Sequence, residues 1–550
     1  MSHDTDVLIA GAGPVGTTLA MCLAQRGIRS LVVEPKAQGT LPDVKCNHVS
    51  ARSMELYRRL GVADALRAGG LPDDYPHDVS YRTTTVGREV TRIRIPGRLK
   101  RKTDTSGPDG GWPTPEPPHR INQRYIEPIL LAHARQQAAI AFAHRERVVA
   151  YQETNDGIRA QLQHEDSGST RTVQARYLVG CDGGRSTIRK AMGATLVGDD
   201  VVQRVQSTCI RAPGLIEHMQ VPPAWAMFSV NPRRSGNIYA IDGREVWLVH
   251  NYLRDNEPDF ESVDRHWAIR AILGVDDAFE FEVMSKEDWF GRRLVADRLQ
   301  RGRVFIAGDA AHLWVPYAGY GMNAGLADAV NLAWHLAAQI EGWAHPDALQ
   351  AYARERHPIT EQVSHFAMNH AHAMAQRRRA IPADIEADTP QAQAAREAFG
   401  HDLYQLNVQQ YCCAGLNFGY YYADSPLVMY DDEAAPPYGM GHFSPSTVPG
   451  CRTPHFWLDD GRSLYDAFGA GYTLLCLRPG CDASVAALQA AAAAHGMPLA
   501  VLDVRAQRDL PSEYRHALLI ARADAHTVWR GDALDAEAAA RVVRRLCGAG

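Results

Sequence analysis

Near the amino terminus, the hydrophobic pattern changes period twice within about thirty residues. A short run over residues 6–10, apolar after Asp6, ends at a glycine cluster, after which apolar side chains recur every three or four positions over residues 18–24. A second apolar run over residues 30–33 ends in Glu34. Short apolar runs are typical of buried strands, and the longer interval is typical of a helix. The pattern therefore predicts a strand, a helix and a second strand.

The middle of the chain contains short runs of the kind that form β-strands. Residues 207–282 contain several of them, including 237–241 and 245–251, which are joined by a short Asp-Gly-Arg connection of the kind that closes hairpins. This predicts an antiparallel sheet inserted into the first domain, which is then discontinuous in sequence. Residues 97–118 are rich in Gly, Pro, Thr and Arg and have neither period, so they are predicted to form a surface loop that could cover a site.

The last part of the chain combines helical and mixed patterns. Residues 326–379 are helical by composition, with interruptions expected at Pro346 and Pro358. A link containing Pro and Gly precedes the final hundred residues, where β-like runs alternate with an alanine-rich helix at 483–495. This alternation predicts a small α/β domain at the carboxyl end.

Composition narrows the class of protein. With 550 residues and a formal net charge of −5, the chain is long enough for two or three domains and has no basic run that would suggest nucleic-acid binding. No segment has the unbroken apolar length of a membrane span, and no secretory leader is recognised, so a cytoplasmic location is expected. The ten cysteines have neither CxxC nor zinc-type spacing, which predicts reduced thiols and no metal site. Small molecules are the expected partners.

The glycine cluster has the spacing of a dinucleotide-binding turn. Gly11 permits the tight turn, Gly13 lets the backbone approach a pyrophosphate, and Gly16 lets the helix pack closely on the strand. The helix begins at Pro14 and Val15, so its amino terminus faces the phosphates with partial positive charge.

Three further features of the sequence predict binding sites for the parts of the ligand beyond its pyrophosphate. Glu34, about twenty residues after the glycines, is placed to accept a hydrogen bond from a ribose hydroxyl. Asp309 follows the apolar run at 304–307, so its carboxylate is expected at a strand end, where it can accept from a ribityl hydroxyl. A loop of small residues then leads into a helix whose amino terminus would stabilise negative charge on a reduced flavin. The loop and helix start contribute Gly319, Gly321, Met322 and Asn323.

These segments, with Cys181-Asp182-Gly183 between them, predict one long ligand that carries a pyrophosphate and a second ring system, namely FAD. The combination resembles the single-component flavoprotein aromatic hydroxylases, the class that includes p-hydroxybenzoate hydroxylase and phenol 2-monooxygenase. The resemblance implies that Arg52 and Gln123 contact the flavin or its phosphates. It also implies that Asp182 lies near the cofactor and the route of NAD(P)H.

The resemblance also implies the architecture. The expected fold class is α/β, with a discontinuous Rossmann-type FAD-binding domain, an inserted antiparallel β-sheet domain for the substrate, and a thioredoxin-like carboxy-terminal domain. That last domain lacks a CxxC, so disulfide exchange is not expected there. The predicted bounds are 1–75, 115–200 and 285–380 for the FAD-binding domain, 76–114 and 201–284 for the substrate domain, 381–450 for a helical linker, and 451–550 for the last domain.

The expected reaction also comes from the resemblance. Only one nucleotide-type glycine fingerprint is present, so NADPH or NADH is expected as a transient co-substrate without a domain of its own. The resemblance implies that O2 adds to the reduced flavin to form a C4a-hydroperoxide, which hydroxylates a phenolic or polycyclic aromatic substrate. Two alternatives stay open: a Baeyer–Villiger or epoxidising oxygenase, and a non-catalytic flavin-binding redox module.

A base or hydrogen-bond acceptor near the substrate hydroxyl would assist ring hydroxylation. The candidates are Tyr239 and His250 on the inserted sheet and Tyr317 on the flavin loop, although each is also compatible with a core role. Alternation along the strand places His250 on the same face as Leu248 but does not reveal which face lines the pocket. The sequence leaves open the substrate, the choice between NADH and NADPH, and whether the protein is a monomer or a homodimer.

Overall fold

A computed structural model describes residues 3–549, without the side chains of Asp200 and Ala318. In chain order, the strands are β1 (Thr5–Ala10), β2 (Ser30–Glu34), β3 (Val79–Arg82), β4 (Glu89–Ile93), β5 (Ile140–His144), β6 (Glu146–Glu153), β7 (Ile158–His164), β8 (Thr170–Gly180), β9 (Leu196–Arg211), β10 (Ala226–Ser229), β11 (Gly236–Ala240), β12 (Val246–Tyr252), β13 (Glu282–Lys286), β14 (Trp289–Ala296), β15 (Gln300–Arg301), β16 (Val304–Ile306), β17 (His312–Leu313), β18 (Tyr472–Cys476), β19 (Leu499–Asp503), β20 (Leu518–Arg522) and β21 (Thr527–Gly531).

The α-helices of the same residues, in chain order, are α1 (Pro14–Ala24), α2 (Ala51–Arg59), α3 (Ala63–Ala68), α4 (Gln123–Ala134), α5 (Thr187–Ala191), α6 (Arg265–Leu273), α7 (Tyr320–Ile340), α8 (Gln350–Arg379), α9 (Pro390–Tyr411), α10 (Ala414–Phe418), α11 (Asp482–Ala494) and α12 (Ala536–Leu546). None of these helices has the length and apolar character that a membrane crossing requires.

The first sheet forms the nucleotide-type domain. Its strand order is β15-β16-β8-β1-β2-β5, with β7 paired to β8 and β6 paired to β7. Strands β16, β8, β1, β2 and β5 run parallel. Strand β1 is almost completely buried, and α1 packs against α4 and α7. The strand-helix-strand unit predicted from residues 6–34 is therefore present, and its carboxyl-terminal loops meet at one edge of the sheet.

The second sheet is the predicted insertion. Its order is β17-β14-β9-β12-β11-β10-β3-β4, and β13 also pairs with β9. The predicted hairpin is β11 and β12, and Asp242 Oδ1 accepts hydrogen bonds from three backbone N–H groups of its turn. Strands β3 and β4 join this sheet from the earlier part of the chain. Strand β14 pairs with β9, so the predicted boundary at residue 285 lies within this sheet.

The carboxy-terminal unit contains the predicted helix and strands. Its sheet order is β19-β18-β20-β21, with β18 and β19 parallel and the other neighbours antiparallel. Helices α11 and α12 pack on one another. Trp334 and Trp343, from α7 and the turn after it, belong to the same hydrophobic core as Leu474 of β18. This unit is therefore docked on the first domain through α7.

One sequence-based expectation was wrong and another holds only in part. Residues 102–108 form a largely exposed loop as predicted, but residues 114–118 are buried, and Glu116 receives hydrogen bonds from Arg58, Arg67 and Lys102. Composition could not reveal these distant partners. Helix α8 also continues through Pro358. A proline removes one helical hydrogen bond, and burial of the apolar side of α8 holds the helix together despite that loss.

Candidate active site

A cavity of about 700 Å³ lies between the first and second sheets. One wall is formed by the loops after β1, β8 and β16 and by the amino termini of α1 and α7. The opposite wall is formed by the second sheet and the end of α9. Crevices at the carboxyl ends of parallel strands are the usual ligand sites of such sheets.

The three fingerprint glycines have different surroundings. Gly11 has φ +105°, and a Cβ there would lie 2.4 Å from the carbonyl oxygen of Cys181. A Cβ on Gly16 would lie 2.0 Å from the Gly11 carbonyl oxygen, so close packing of α1 on its strand requires glycine. Gly13 lines the cavity, and a Cβ on it would meet no atom within 4 Å. Only Gly13 therefore faces space that a ligand can fill.

Glu34 lies at the end of β2 and supports the glycine turn. Its Oε2 accepts a hydrogen bond from the Ala12 N–H at 2.9 Å, and its Oε1 accepts one from the Lys36 N–H at 3.0 Å. A carboxylate has about four acceptor positions, so these bonds leave capacity for a ribose hydroxyl.

The amino termini of α1 and α7 both face the cavity. Neither helix has a side-chain cap or an acidic residue in its first turn. The first N–H groups of a helix need a partner and carry partial positive charge. Two uncapped helix ends on one cavity fit a ligand with phosphates at one position and an electron-rich ring at the other.

Asp309 extends into the cavity. Its carboxylate has no hydrogen-bond or ion-pair partner among residues 3–549, and desolvation by the surrounding protein raises its pKa above the ordinary value despite the opposing influence of His312 and Lys45. An acceptor without a partner at this place fits a ribityl hydroxyl.

A buried network lies behind the Asp309 loop. Asp328 accepts hydrogen bonds from the Gly308 N–H at 3.2 Å, His312 Nε2 at 2.8 Å and Arg356 Nε at 2.9 Å. Burial alone would raise the pKa of Asp328, but His312 and Arg356 outweigh burial and lower it to about 2. The loop is therefore held in place before any ligand binds. Taken together, the open space at Gly13, the two helix ends and the free Asp309 carboxylate fit FAD.

The second wall is aromatic. The Tyr239 ring lies 5.3 Å from Trp225 and 5.6 Å from His250, and Tyr411 of α9 lies 6.2 Å from Trp225. Burial raises the pKa of Tyr239 and lowers that of His250 to about 4, so both side chains are neutral near pH 7. The structure thus resolves the open question of strand face, because His250 lines the cavity.

The structure places the other predicted residues in two groups. Gln123, Gly319, Gly321 and Met322 line the cavity, as do Pro14 and Val15. Asn323 lies outside the lining and joins the loops, since its Oδ1 accepts from the Ser50 N–H at 2.8 Å and its Nδ2 donates to the His48 carbonyl.

Besides Asn323, six predicted residues lie outside the cavity lining: Gly11, Gly16, Glu34, Arg52, Asp182 and Tyr317. Arg52 donates to Glu55 at 2.7 Å and to the carbonyl of Asp524 in the last domain. Asp182 Oδ2 accepts from the Thr187 N–H at 2.7 Å and so caps the start of α5. The Tyr317 hydroxyl oxygen accepts a hydrogen bond from Arg378 Nη1 at 3.3 Å. Arg52 and Tyr317 are thus engaged by other protein groups, whereas Asp182 Oδ1 is buried without a partner among the described residues.

Sequence reasoning missed several lining residues, among them His48, Arg120, Trp225, Trp314 and Tyr411. Two of them had a usable signal, because His48 and Arg120 directly flank segments containing Arg52 and Gln123. Tyr411 had none, because it lies in the segment predicted to be a linker. No cluster of three or more His, Cys, Asp or Glu suited to a metal ion occurs among residues 3–549. His370 of α8 is hydrogen-bonded to Asn407.

Comparisons with known proteins agree with this geometry. The FAD binding domain family matches residues 4–367. The chain is 30% identical to the FAD-dependent monooxygenase apdD of Emericella nidulans, over 98% of this chain and 90% of that protein. It is 27% identical to a phenol 2-monooxygenase of a Pseudomonas species, over 97% of this chain and 91% of that protein.

A solved structure resembles the whole chain. The rebeccamycin biosynthetic enzyme RebC with reduced flavin superposes with a TM-score of 0.88 and 33% identity, over 99% of each chain. This agreement includes the sheets that form both walls of the cavity. The chain therefore belongs to the FAD binding domain family and is an FAD-dependent aromatic monooxygenase.

Proposed function

We propose that this protein is an NAD(P)H- and O2-dependent monooxygenase that hydroxylates a phenolic or polycyclic aromatic substrate. The observation that carries the proposal is the arrangement of the cavity, in which nucleotide-type loops face a wall of Trp225, Tyr239, His250 and Tyr411. An aromatic ring between the two walls would lie beside the flavin. The printed names of the relatives, which include a phenol 2-monooxygenase, are consistent with such a substrate.

When bound, FAD would supply the redox chemistry that activates O2. The chain's own residues would perform the other tasks. The amino terminus of α1 would bind the pyrophosphate, Glu34 the ribose and Asp309 the ribityl chain. The amino terminus of α7 would face the pyrimidine edge of the flavin, and Gln123 would contact the cofactor.

The aromatic wall would orient the substrate and exclude water from the reacting atoms. Tyr239 and His250 are neutral near pH 7, so we propose that they act as hydrogen-bonding groups for the substrate hydroxyl. With its pKa of about 4, His250 is too weak a base to deprotonate an ordinary phenol. NADPH or NADH would enter transiently, and the carboxy-terminal unit would be a thioredoxin-like domain without redox activity.

The test uses the purified holoenzyme, NADH or NADPH, labelled dioxygen and a panel of phenols and polycyclic phenols. We expect one labelled oxygen on a ring carbon of the product and faster NAD(P)H oxidation when substrate is present. Label in an ester would instead indicate Baeyer–Villiger chemistry. Protein that binds FAD but consumes no NAD(P)H with any member of the panel would contradict the proposal and favour a binding module.

The variant Tyr239→Phe tests whether the aromatic wall of the cavity takes part in the reaction. Tyr239→Phe keeps the ring and removes the hydroxyl, so FAD content should be unchanged while hydroxylation slows by roughly 5- to 100-fold, the equivalent of one lost hydrogen bond in the site. Tyr151→Phe, on β6 of the first sheet and away from the cavity, is the control and should react like the wild type. Unchanged hydroxylation by Tyr239→Phe would remove Tyr239 from the proposed role.

A further inference from the structure

His48 and Arg120 meet in the cavity between the flavin-side loops and the aromatic wall. Arg120 Nη1 donates a hydrogen bond to His48 Nδ1, and both side chains are buried while lining the cavity. A Cβ on Gly319 would lie 3.0 Å from the His48 Cβ, and Asn323 Nδ2 donates to the His48 carbonyl at 3.1 Å. His48 is therefore held against the loop that opens α7.

Arg120 is held by aromatic rings instead of an acid. Its guanidinium carbon lies 4.5 Å from the Trp225 ring centre and 5.9 Å from that of Tyr411. Among residues 3–549 it forms no ion pair, and the nearby Asp109 is bound by Arg101. Buried cations usually have a carboxylate partner. The main polar contact of this arginine is instead the imidazole of His48.

This contact determines the tautomer of His48. A guanidinium only donates hydrogen bonds, so His48 Nδ1 must accept and Nε2 must carry the proton. Burial, followed by Arg120, Arg101 and His119, lowers the pKa of His48 well below its ordinary value, against a smaller opposing effect of the His119 backbone. Among the described residues, the contact of Nδ1 with Arg120 is the hydrogen bond that the His48 ring forms, and Nε2 is left for a ligand in the cavity. The result is a neutral donor with a fixed orientation in the cavity.

We infer that His48 and Arg120 form a recognition pair for an aromatic substrate that carries a hydrogen-bond-accepting oxygen, either a phenol or phenolate oxygen or a ring carbonyl. His48 Nε2–H binds that oxygen, and Arg120 is a positioning residue that presents the imidazole in the required tautomer. The inference rests on the proposed function in one respect, because it requires an aromatic substrate in this cavity.

The first experiment measures binding without turnover. Holoenzyme is titrated with α-naphthol and with naphthalene, and binding is read from the change in flavin absorbance and fluorescence. Wild-type protein should bind α-naphthol about tenfold more tightly, because an unmatched donor is costly when naphthalene occupies the site. His48→Phe should bind the two rings almost equally, whereas His48→Gln, which keeps an amide donor, should retain part of the preference.

The second experiment separates positioning from simple structural support. In wild-type protein the preference for α-naphthol should be constant between about pH 5.5 and 8, because His48 stays neutral. In Arg120→Met the tautomer is no longer fixed, so the preference should be weaker than in wild-type protein across this pH range, while burial still keeps the imidazole neutral. Arg120→Lys can still donate to Nδ1 and should restore much of the preference.

Several results would overturn the pair. They are an equal or undetectable affinity of wild-type protein for the two rings, an undiminished preference in His48→Phe or in Arg120→Met, a preference that Arg120→Lys does not restore, or loss of FAD from His48→Phe, which would place His48 in the cofactor site. Failure of the proposed function looks different, because the binding preference would persist while no ring hydroxylation occurs.

Discussion

Gly13 and Gly16 show how the same residue type meets two different requirements within one turn of α1. Gly16 is required by the protein itself, since any Cβ would collide with the backbone of Gly11. Gly13 is required only by a ligand, since its Cβ would project into the open cavity. Substitution at the two positions should therefore separate folding from cofactor binding.

Gly13→Ala and Gly16→Ala form a matched pair of variants. Gly13 has extended backbone angles that alanine adopts without strain, so the apoprotein should unfold at the wild-type temperature while FAD binds more weakly. Gly16→Ala should destabilise the apoprotein itself by about 1–3 kcal/mol through overpacking. Circular dichroism of the apoproteins and FAD titration measure both effects. Equal apoprotein stabilities would show that the Gly16 contact can relax.

Asp309 provides a second test at the residue scale. Asp309→Ala removes an acceptor that has no described protein partner, so apoprotein stability should be unchanged or slightly higher, while FAD affinity falls by about 1–3 kcal/mol. Asp156→Ala, on the exposed hairpin between β6 and β7, is the control and should bind FAD normally. The measurement is flavin fluorescence during titration of apoprotein. Full FAD affinity in Asp309→Ala would contradict the ribityl assignment.

At the scale of elements, the notable feature is an uncapped helix end. Helix α7 begins at a left-handed Gly319 with φ +60°, without a side-chain cap or an acid in its first turn. Most helices gain stability from such groups. Their absence at the cavity leaves the N–H groups and the partial positive charge of the helix available to the cofactor.

Gly321→Asp tests that role of α7. A Cβ at Gly321 meets no protein atom within 4 Å but projects into the cavity, so Gly321→Asp and Gly321→Asn should both bind FAD more weakly and are compared at saturating FAD. Only the charge of the aspartate offsets the helix end. The midpoint potential of the bound flavin should fall by roughly 10–30 mV relative to Gly321→Asn, which has the same size without the charge. Spectroelectrochemical titration of the two variants gives this difference. Identical potentials would mean that the α7 terminus does not act on the flavin.

At the scale of the whole molecule, a buried ionic network joins the carboxy-terminal unit to the first domain. Glu355 of α8 accepts two hydrogen bonds from Arg522 of β20, at 2.9 and 2.8 Å, and Arg522 also binds Asp524. Tyr422 extends the network, since its hydroxyl donates to Asp524 at 2.9 Å. All four side chains are buried. Docking of the last domain therefore depends on complete pairing of these charges.

Arg522→Met should destabilise the protein by about 3–5 kcal/mol, because it leaves Glu355 buried without its partner. The double variant Arg522→Met with Glu355→Leu should recover part of that loss. Arg505→Met, which breaks an exposed pair with Asp503, should have no measurable effect. Denaturant unfolding of the three variants measures this. A single variant as stable as the wild type would show that water or another group replaces Arg522.

The same network predicts how the docking of the carboxy-terminal unit depends on pH. Burial would raise the pKa of Glu355 and of Asp524, but Arg522, together with His335 at Glu355 and His526 at Asp524, outweighs burial and lowers both pKa values below the ordinary range. Groups with lowered folded pKa values stabilise the protein above their unfolded pKa of about 4, and that contribution is lost as pH falls further. Limited proteolysis between pH 7 and 3 should release the carboxy-terminal unit in acid. The double variant should show a weaker dependence on pH.

The sequence by itself determined the parts that depend on backbone chemistry. Close approach of a backbone to a pyrophosphate requires glycine at set intervals, and a buried strand requires an apolar run, so the first nucleotide-type unit, the hairpin of β11 and β12 and the Asp309 loop were all predictable. Only the tertiary structure decided the rest. The cavity wall, the His48–Arg120 pair and the burial of Glu116 bring together side chains from distant parts of the chain. Residue spacing does not encode which distant side chains will meet, because that depends on how complete sheets and helices pack.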